Sequence, residues 1–146
     1  MPEVKEESKI EEVVEAIDDA AEEALKKAKI ETNSRVARTI RERIGHNFTA
    51  EGFDESQFDL LLLEGLDFEG ELSIDDKLFL ERFKDAKMLN LSYCNLQSIK
   101  NLPCLPALEK LDLSDNNLSG KDFNVITHNF KKLKFLSLAN NAIRPT

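Results

Sequence analysis

Three stretches of the chain share one spacing, and that spacing limits the possible folds more than any other feature. Residues 108–118 read Leu108-x-x-Leu111-x-Leu113-x-x-Asn116-x-Leu118, and residues 133–143 read Leu133-x-x-Leu136-x-Leu138-x-x-Asn141-x-Ile143. Residues 86–96 read Ala86-x-x-Leu89-x-Leu91-x-x-Cys94-x-Leu96, and the three starts lie 22 and 25 residues apart. A weaker fourth copy, Phe58-x-x-Leu61-x-Leu63-x-x-Leu66-x-Phe68, lacks the Asn or Cys, and Leu60 and Leu62 suit the opposite register equally well. In each copy the apolar fourth and sixth positions alternate, as on a short strand with both side chains on one face. The chain must then turn sharply and bury backbone polar groups. An asparagine there brings amide donors and a carbonyl acceptor to satisfy them. Cys94, Asn116 and Asn141 therefore read as architectural residues, with the two asparagines stacked one above the other.

This consensus is the leucine-rich repeat signature. It implies an α/β fold: a solenoid with a short parallel sheet on its concave face and helices or irregular segments on its convex side. The connections differ between copies. "QSIKNLPCLPA" has two prolines and suits an irregular path. Lys121 to Lys132 places Phe123, Ile126 and Phe130 at helical spacing, and "DDKLFLERF" suggests another helix with Leu78, Phe79 and Phe83 inward.

The first 34 residues read as an acidic helical extension. Ile10, Val13, Val14, Ile17, Ala21, Ala24, Leu25 and Ala28 follow helical spacing to about Ile30. Acids cover the other face, and Lys26, Lys27 and Lys29 gather at the C-terminal end, where they complement the helix dipole. The stripe is thin and alanine-rich, so a solvated helix is the first expectation, ahead of docking on a partner helix or on its own copy. Ser34 suits an N-cap. A second helix, about Arg35 to Ile44, carries Val36, Ile40 and Ile44 on one edge and Arg35, Arg38, Arg41 and Arg43 elsewhere, with Gly45 ending it. It is placed to cap the first repeat's exposed core, with its arginines pairing to acids after Glu51. Residues 35–146 then form the repeat domain, a cap plus about four repeats, the last incomplete.

Charge divides the chain. Residues 1–76 hold 22 acids and 9 bases, whereas residues 77–146 hold 6 acids and 11 bases. Glu51 to Asp76 holds ten acids and no base. Such a balance favours basic protein partners and disfavours nucleic acid on that half. No apolar run approaches the ~20 residues needed to span a bilayer, and the charged N-terminus does not resemble a secretory signal. Two cysteines, Cys94 and Cys104, suggest no disulfide framework, so the Asn-x-Ser/Thr sites at Asn47, Asn90 and Asn117 read as chance matches. His46 and His128 lie apart, with no metal-ligand spacing around them. No nucleophile elbow or phosphate-cradling glycine loop occurs. No catalytic residue, metal site or cofactor is expected.

The segment "FKDAKMLNLSYCNLQSIKNLPCLPALEKLDLSDNNLSG", with "DFNVITHNFKKLKFLSLANNAI" after it, resembles the N-terminal leucine-rich domain of the acidic leucine-rich nuclear phosphoprotein family. The resemblance covers about Arg35 to Ile143. It implies a non-catalytic nuclear protein, present also in the cytoplasm, that binds histones as a chaperone, blocks histone acetylation or inhibits protein phosphatase 2A. Family members continue through more repeats, a C-terminal cap and a long acidic tail, whereas these 146 residues stop inside a repeat. A short or truncated member is the expectation, with an uncovered C-terminal edge open to self-association. The alternatives are a leucine-rich scaffold subunit of an RNA-splicing particle, or a paralogue without retained activity.

Residues between the inward leucines should form the partner-binding concave face. These are Lys87, Met88, Asn90 and Ser92; Glu109, Lys110, Asp112 and Ser114; Lys134, Phe135, Ser137 and Ala139; and Asp59 and Glu64 from the first copy. Basic partners, histones above all, or a phosphatase catalytic subunit, are expected near Asp59, Glu64, Glu109 and Asp112, with Met88 and Phe135 as apolar anchors.

Overall fold

The structure is a computed structural model and describes residues 2–44 and 54–144. Gly45, His46 and the Asn47 site fall outside the described residues. Two helices, α1 (Pro2–Asn33) and α2 (Arg35–Ile44), precede a 3-10 turn at Glu55–Gln57. Then follow β1 (Leu60–Leu62), α3 (Ile74–Leu80), β2 (Met88–Asn90), β3 (Lys110–Asp112), α4 (Asn124–Asn129) and β4 (Phe135–Ser137). The strands form one parallel sheet in chain order. Leu61, Leu89, Leu111 and Leu136 align across it.

That register settles the first copy: Leu61 and Leu63 are buried while Leu60 and Leu62 are exposed. The leucines after each strand form a second buried column of Leu63, Leu91 and Leu113. Hydrogen bonds continue the ladder past the strands, from Leu63 N to Asn90 O (3.0 Å), Leu91 N to Asp112 O (2.8 Å) and Leu113 N to Ser137 O (2.9 Å). Leu136, on the outermost strand, remains 42% exposed.

The turn after each strand works as the asparagine chemistry requires. Asn116 Oδ1 accepts from the Cys94 and Leu96 N–H groups, and its amide donates to the carbonyls of Leu91, Leu113 and Ser114. Asn141 accepts from Leu118 N and donates to Leu113, Leu138 and Ala139 carbonyls. Each asparagine thus stitches its own repeat to the one before. Cys94 holds the same position with its thiol, directed at the Leu63 and Ser92 carbonyls. On the far side, Asn101 donates to Leu72 O and Asn129 to Leu102 O, a second inter-repeat stitch that the signature does not contain.

Burial pushes the Cys94 thiol up to about 11, against the opposing effect of backbone hydrogen bonds at Leu66 and Gly65 and with a smaller push from Glu64 and Asp67. Its folded value lies above the ordinary one, so the neutral thiol favours the folded state. That stability is intact below pH 9.0 and is lost as pH rises towards about 11. In native protein at neutral pH, a thiol reagent is expected to label exposed Cys104 and spare buried Cys94. Equal labelling rates by mass spectrometry would contradict the packing.

The helices around α3 differ from the sequence reading in one respect. Phe79 and Phe83 are buried as expected, but Leu78 is 42% exposed and Leu80 takes its place inside. Positions 76, 79, 80 and 83 define the inward stripe, and position 78 falls outside it. Phe83 meets Phe58 and Phe79 edge-on, both at 5.5 Å.

The buried residue at 76 is an aspartate. Its N–H and carboxylate form a capping box with Ser73 at the start of α3. The same carboxylate accepts from Ser34 Oγ (2.7 Å) and Val36 N (3.1 Å) at the start of α2. Ser34 is the expected N-cap, its Oγ accepting from Ala37 N at 3.1 Å. One carboxylate therefore satisfies donors at two helix N-termini, where negative charge is also favoured by both helix dipoles. This junction seats Val36, Ala37 and Ile40 in the same core as the repeat leucines.

α1 runs past the expected Ile30 to Asn33. Ile30 packs against the core, and Glu31 pairs with Arg82 at 2.8 Å. Arg82 also binds Glu55 and lies 5.1 Å over the Phe79 ring. Arg35 donates to the Asp67 carbonyl and sits 3.6 Å from Glu69, in keeping with arginine pairing to the acidic stretch.

Candidate functional site

The sheet has one face in the core and one outside. Lys87, Lys110, Lys134 and Phe135 are exposed on the outer side, while Met88, Asn90, Asp112 and Ser137 are half-buried. Asp59 and Glu64 flank β1 and are exposed, as is Ala139 after β4. Backbone bonds fix the spacing of the strand entries: Asp59 O accepts from Lys87 N and Met88 N, Lys87 O from Glu109 N and Lys110 N, and Glu109 O from Lys134 N and Phe135 N. The expected residues thus assemble on one surface, apart from Ser92. It is only 4% exposed, with its N–H and Oγ both donating to Asn90 Oδ1. Ser114 makes the same contacts to Asp112 Oδ1, at 2.9 and 2.6 Å, and stays half-buried.

These contacts change the electrostatics of the face. Of the four acids expected to attract a basic partner, two are already engaged. Lys134 Nζ lies 3.0 Å from Glu109 Oε1 and, with Lys87 and Lys132, holds the Glu109 carboxyl below its usual range. Asp112 accepts from Ser114 N–H and Oγ, which orient the carboxylate but leave its charge in place. Among the described residues, the carboxylates of Asp59 and Glu64 carry no ion pair or hydrogen bond, so uncompensated negative charge sits at the β1 end. Lys87 and Lys110 leave the middle of the face basic.

Tyr93 is a further feature that the repeat signature does not point to. The eighth position of each repeat adopts the left-handed conformation: Gly65 (φ 81), Tyr93 (φ 53), Asp115 (φ 56) and Asn140 (φ 57). Glycine, aspartate and asparagine tolerate it; a tyrosine does so at a penalty of roughly 1 kcal/mol. Tyr93 is also 60% exposed and lies three residues past the end of β2. A bulky aromatic kept in a strained, exposed position is a binding-site signature. Tyr93→Asn is expected to raise stability by about 0.5–1 kcal/mol in denaturant melts while weakening partner binding. A loss of stability would contradict the strain argument. Aligning the eighth positions of the repeats was the signal that could have found it.

No group of three or more potential metal ligands occurs among the described residues. No helix among them is long and apolar enough to cross a membrane. His128 is exposed on α4.

A parallel sheet of aligned Leu-x-Leu strands, with asparagines bridging successive turns, defines a leucine-rich repeat fold. The Leucine Rich Repeat family model matches residues 107–129. Part of the chain is similar to proteins named as acidic leucine-rich nuclear phosphoprotein 32-related. It is 35% identical over 81 residues to acidic leucine-rich nuclear phosphoprotein 32-related protein 1 of Caenorhabditis elegans, covering 47% of this chain and 35% of that protein. The related protein of Plasmodium falciparum is 32% identical over 68 residues, 46% of this chain and 24% of that one. Related protein 2 of C. elegans is 37% identical over 65 residues, covering 43% and 28%. The matches span about a third or less of each relative's length. No solved structure is a significant match.

Proposed function

We propose that this chain is a nuclear, non-catalytic protein-binding module that holds a basic segment of a histone on the outer face of its sheet. Residues 35–146 act as a solenoid capped by α2, the sheet lining its concave side, and residues 1–34 are an appended helix. The observation that carries the reading is the pairing of uncompensated acids, Asp59 and Glu64, with exposed apolar groups, Tyr93 and Phe135, around one rigid strand face. Acids at one end steer and orient a basic segment; the aromatics supply buried area once it docks. The relatives' names place them in the nucleus, in keeping with a histone ligand.

The double reversal Asp59→Lys/Glu64→Lys is expected to weaken binding to core histones at least tenfold by calorimetry, with the wild-type affinity falling as salt rises. Lys121→Glu, outside this face, is the control. Unchanged affinity in the double variant, with loss in the control, would move the site off the sheet. Inhibition of a phosphatase 2A catalytic subunit without histone binding would replace histone by phosphatase as the partner.

A further inference from the structure

Among the described side chains of α1, only Ile30 and Glu31 are partly buried. Residues 12–29 therefore lie outside the docked end, about 27 Å of helix at 1.5 Å per residue. Val13, Ile17 and Leu25 are 58%, 62% and 58% exposed along it. Positions 10, 14, 17, 21, 24 and 28 are spaced 4-3-4-3-4 and hold Ile, Val, Ile, Ala, Ala and Ala. An unbroken apolar seam at this spacing is that of a two-helix coiled coil.

The seam has a direction. Its N-terminal half is β-branched and its C-terminal half is alanine. The flanking charge changes along the same axis: every charged residue from Glu11 to Glu23 is an acid, and Lys26, Lys27 and Lys29 follow. A parallel pair would stack β-branched residues on each other and leave gaps between alanines. An antiparallel pair with its twofold axis at Asp19 brings Ile10 to Ala28, Val14 to Ala24 and Ile17 to Ala21. Every layer then joins one large residue to one small one. We propose that α1 is a homodimerisation helix that pairs antiparallel with α1 of a second copy. The symmetry is that of a closed isologous dimer, and it leaves the sheet face of each copy open.

Sedimentation of the full chain at about 100 μM, in the range where so short an interface is populated, is expected to show a dimer that dissociates on dilution. Ile17→Glu and Ala21→Glu should both abolish it while leaving the melting transition in place, since both side chains are exposed. Leu136→Lys, on the outer strand of the sheet, should retain it. In a Cys104→Ser background, a mixture of Ile10→Cys and Ala28→Cys chains should form the mixed disulfide, whereas Ala28→Cys alone should not cross-link. A monomer at every concentration, or a dimer that survives Ile17→Glu and is lost with Leu136→Lys, overturns the proposal. Self-cross-linking of Ala28→Cys overturns the antiparallel arrangement.

Discussion

Asn116→Ala is expected to destabilise the chain by about 3 kcal/mol, among the larger losses a single polar side chain can produce. The side chain serves five backbone groups in two repeats. Two of them keep other partners: Leu113 O still receives Asn141 Nδ2, and Ser114 O still receives Tyr93 N. Cys94 N, Leu96 N and Leu91 O are left without that partner inside the turn, and each such group loses about 1 kcal/mol or more. Asn117→Ala is the control. Its side chain is exposed, and only its backbone N–H is used, bonding to Leu96 O. It should shift stability by less than about 0.5 kcal/mol. Equal losses for the two variants in urea melts would contradict the stitching role.

Asp76→Ala should cost about as much, roughly 3 kcal/mol, for a different reason. The carboxylate joins two helix starts from distant parts of the chain, so its removal strands Ser34 Oγ, Val36 N and Ser73 N together. Asp75→Ala, on the neighbouring half-exposed residue, should have little effect. The loss should be local before it is global. Hydrogen exchange at the Val36 and Ala37 amides should accelerate while that at Leu89 and Leu111 stays slow under native conditions. Uniform acceleration would mean that α2 and the repeats unfold as one unit and that Asp76 has no special place at the joint.

These two residues show what the sequence could reveal. Asn116 belongs to a periodic pattern, so its role follows from comparing the chain with itself. The same comparison placed all four strands, and burial of Leu61 and Leu63 resolved the one ambiguous copy. Asp76 has no such signal. A charge at a buried position reads as surface, and the partners that make it tolerable are 40 and 42 residues away. Asp76 lies on the inward stripe of α3 with Phe79, Leu80 and Phe83, which leaves Leu78 outside it.

The binding face was legible in outline and less so in its charges. Alternation identified which residues leave the core. It could not show that Glu109 would be neutralised by Lys134 from the next strand, or that Ser92 would turn back onto Asn90. Both depend on side-chain geometry between or after strands. The acids of the face left without an ion pair are consequently Asp59, Glu64 and Asp112.

The most direct test of the account is to map amide chemical-shift changes as core histones are titrated into isotope-labelled protein. The account predicts changes at Asp59, Glu64, Met88, Asn90, Tyr93 and Phe135, with α1 and α4 unaffected. Changes confined to α1, or to α4 on the opposite side of the repeats, would contradict it.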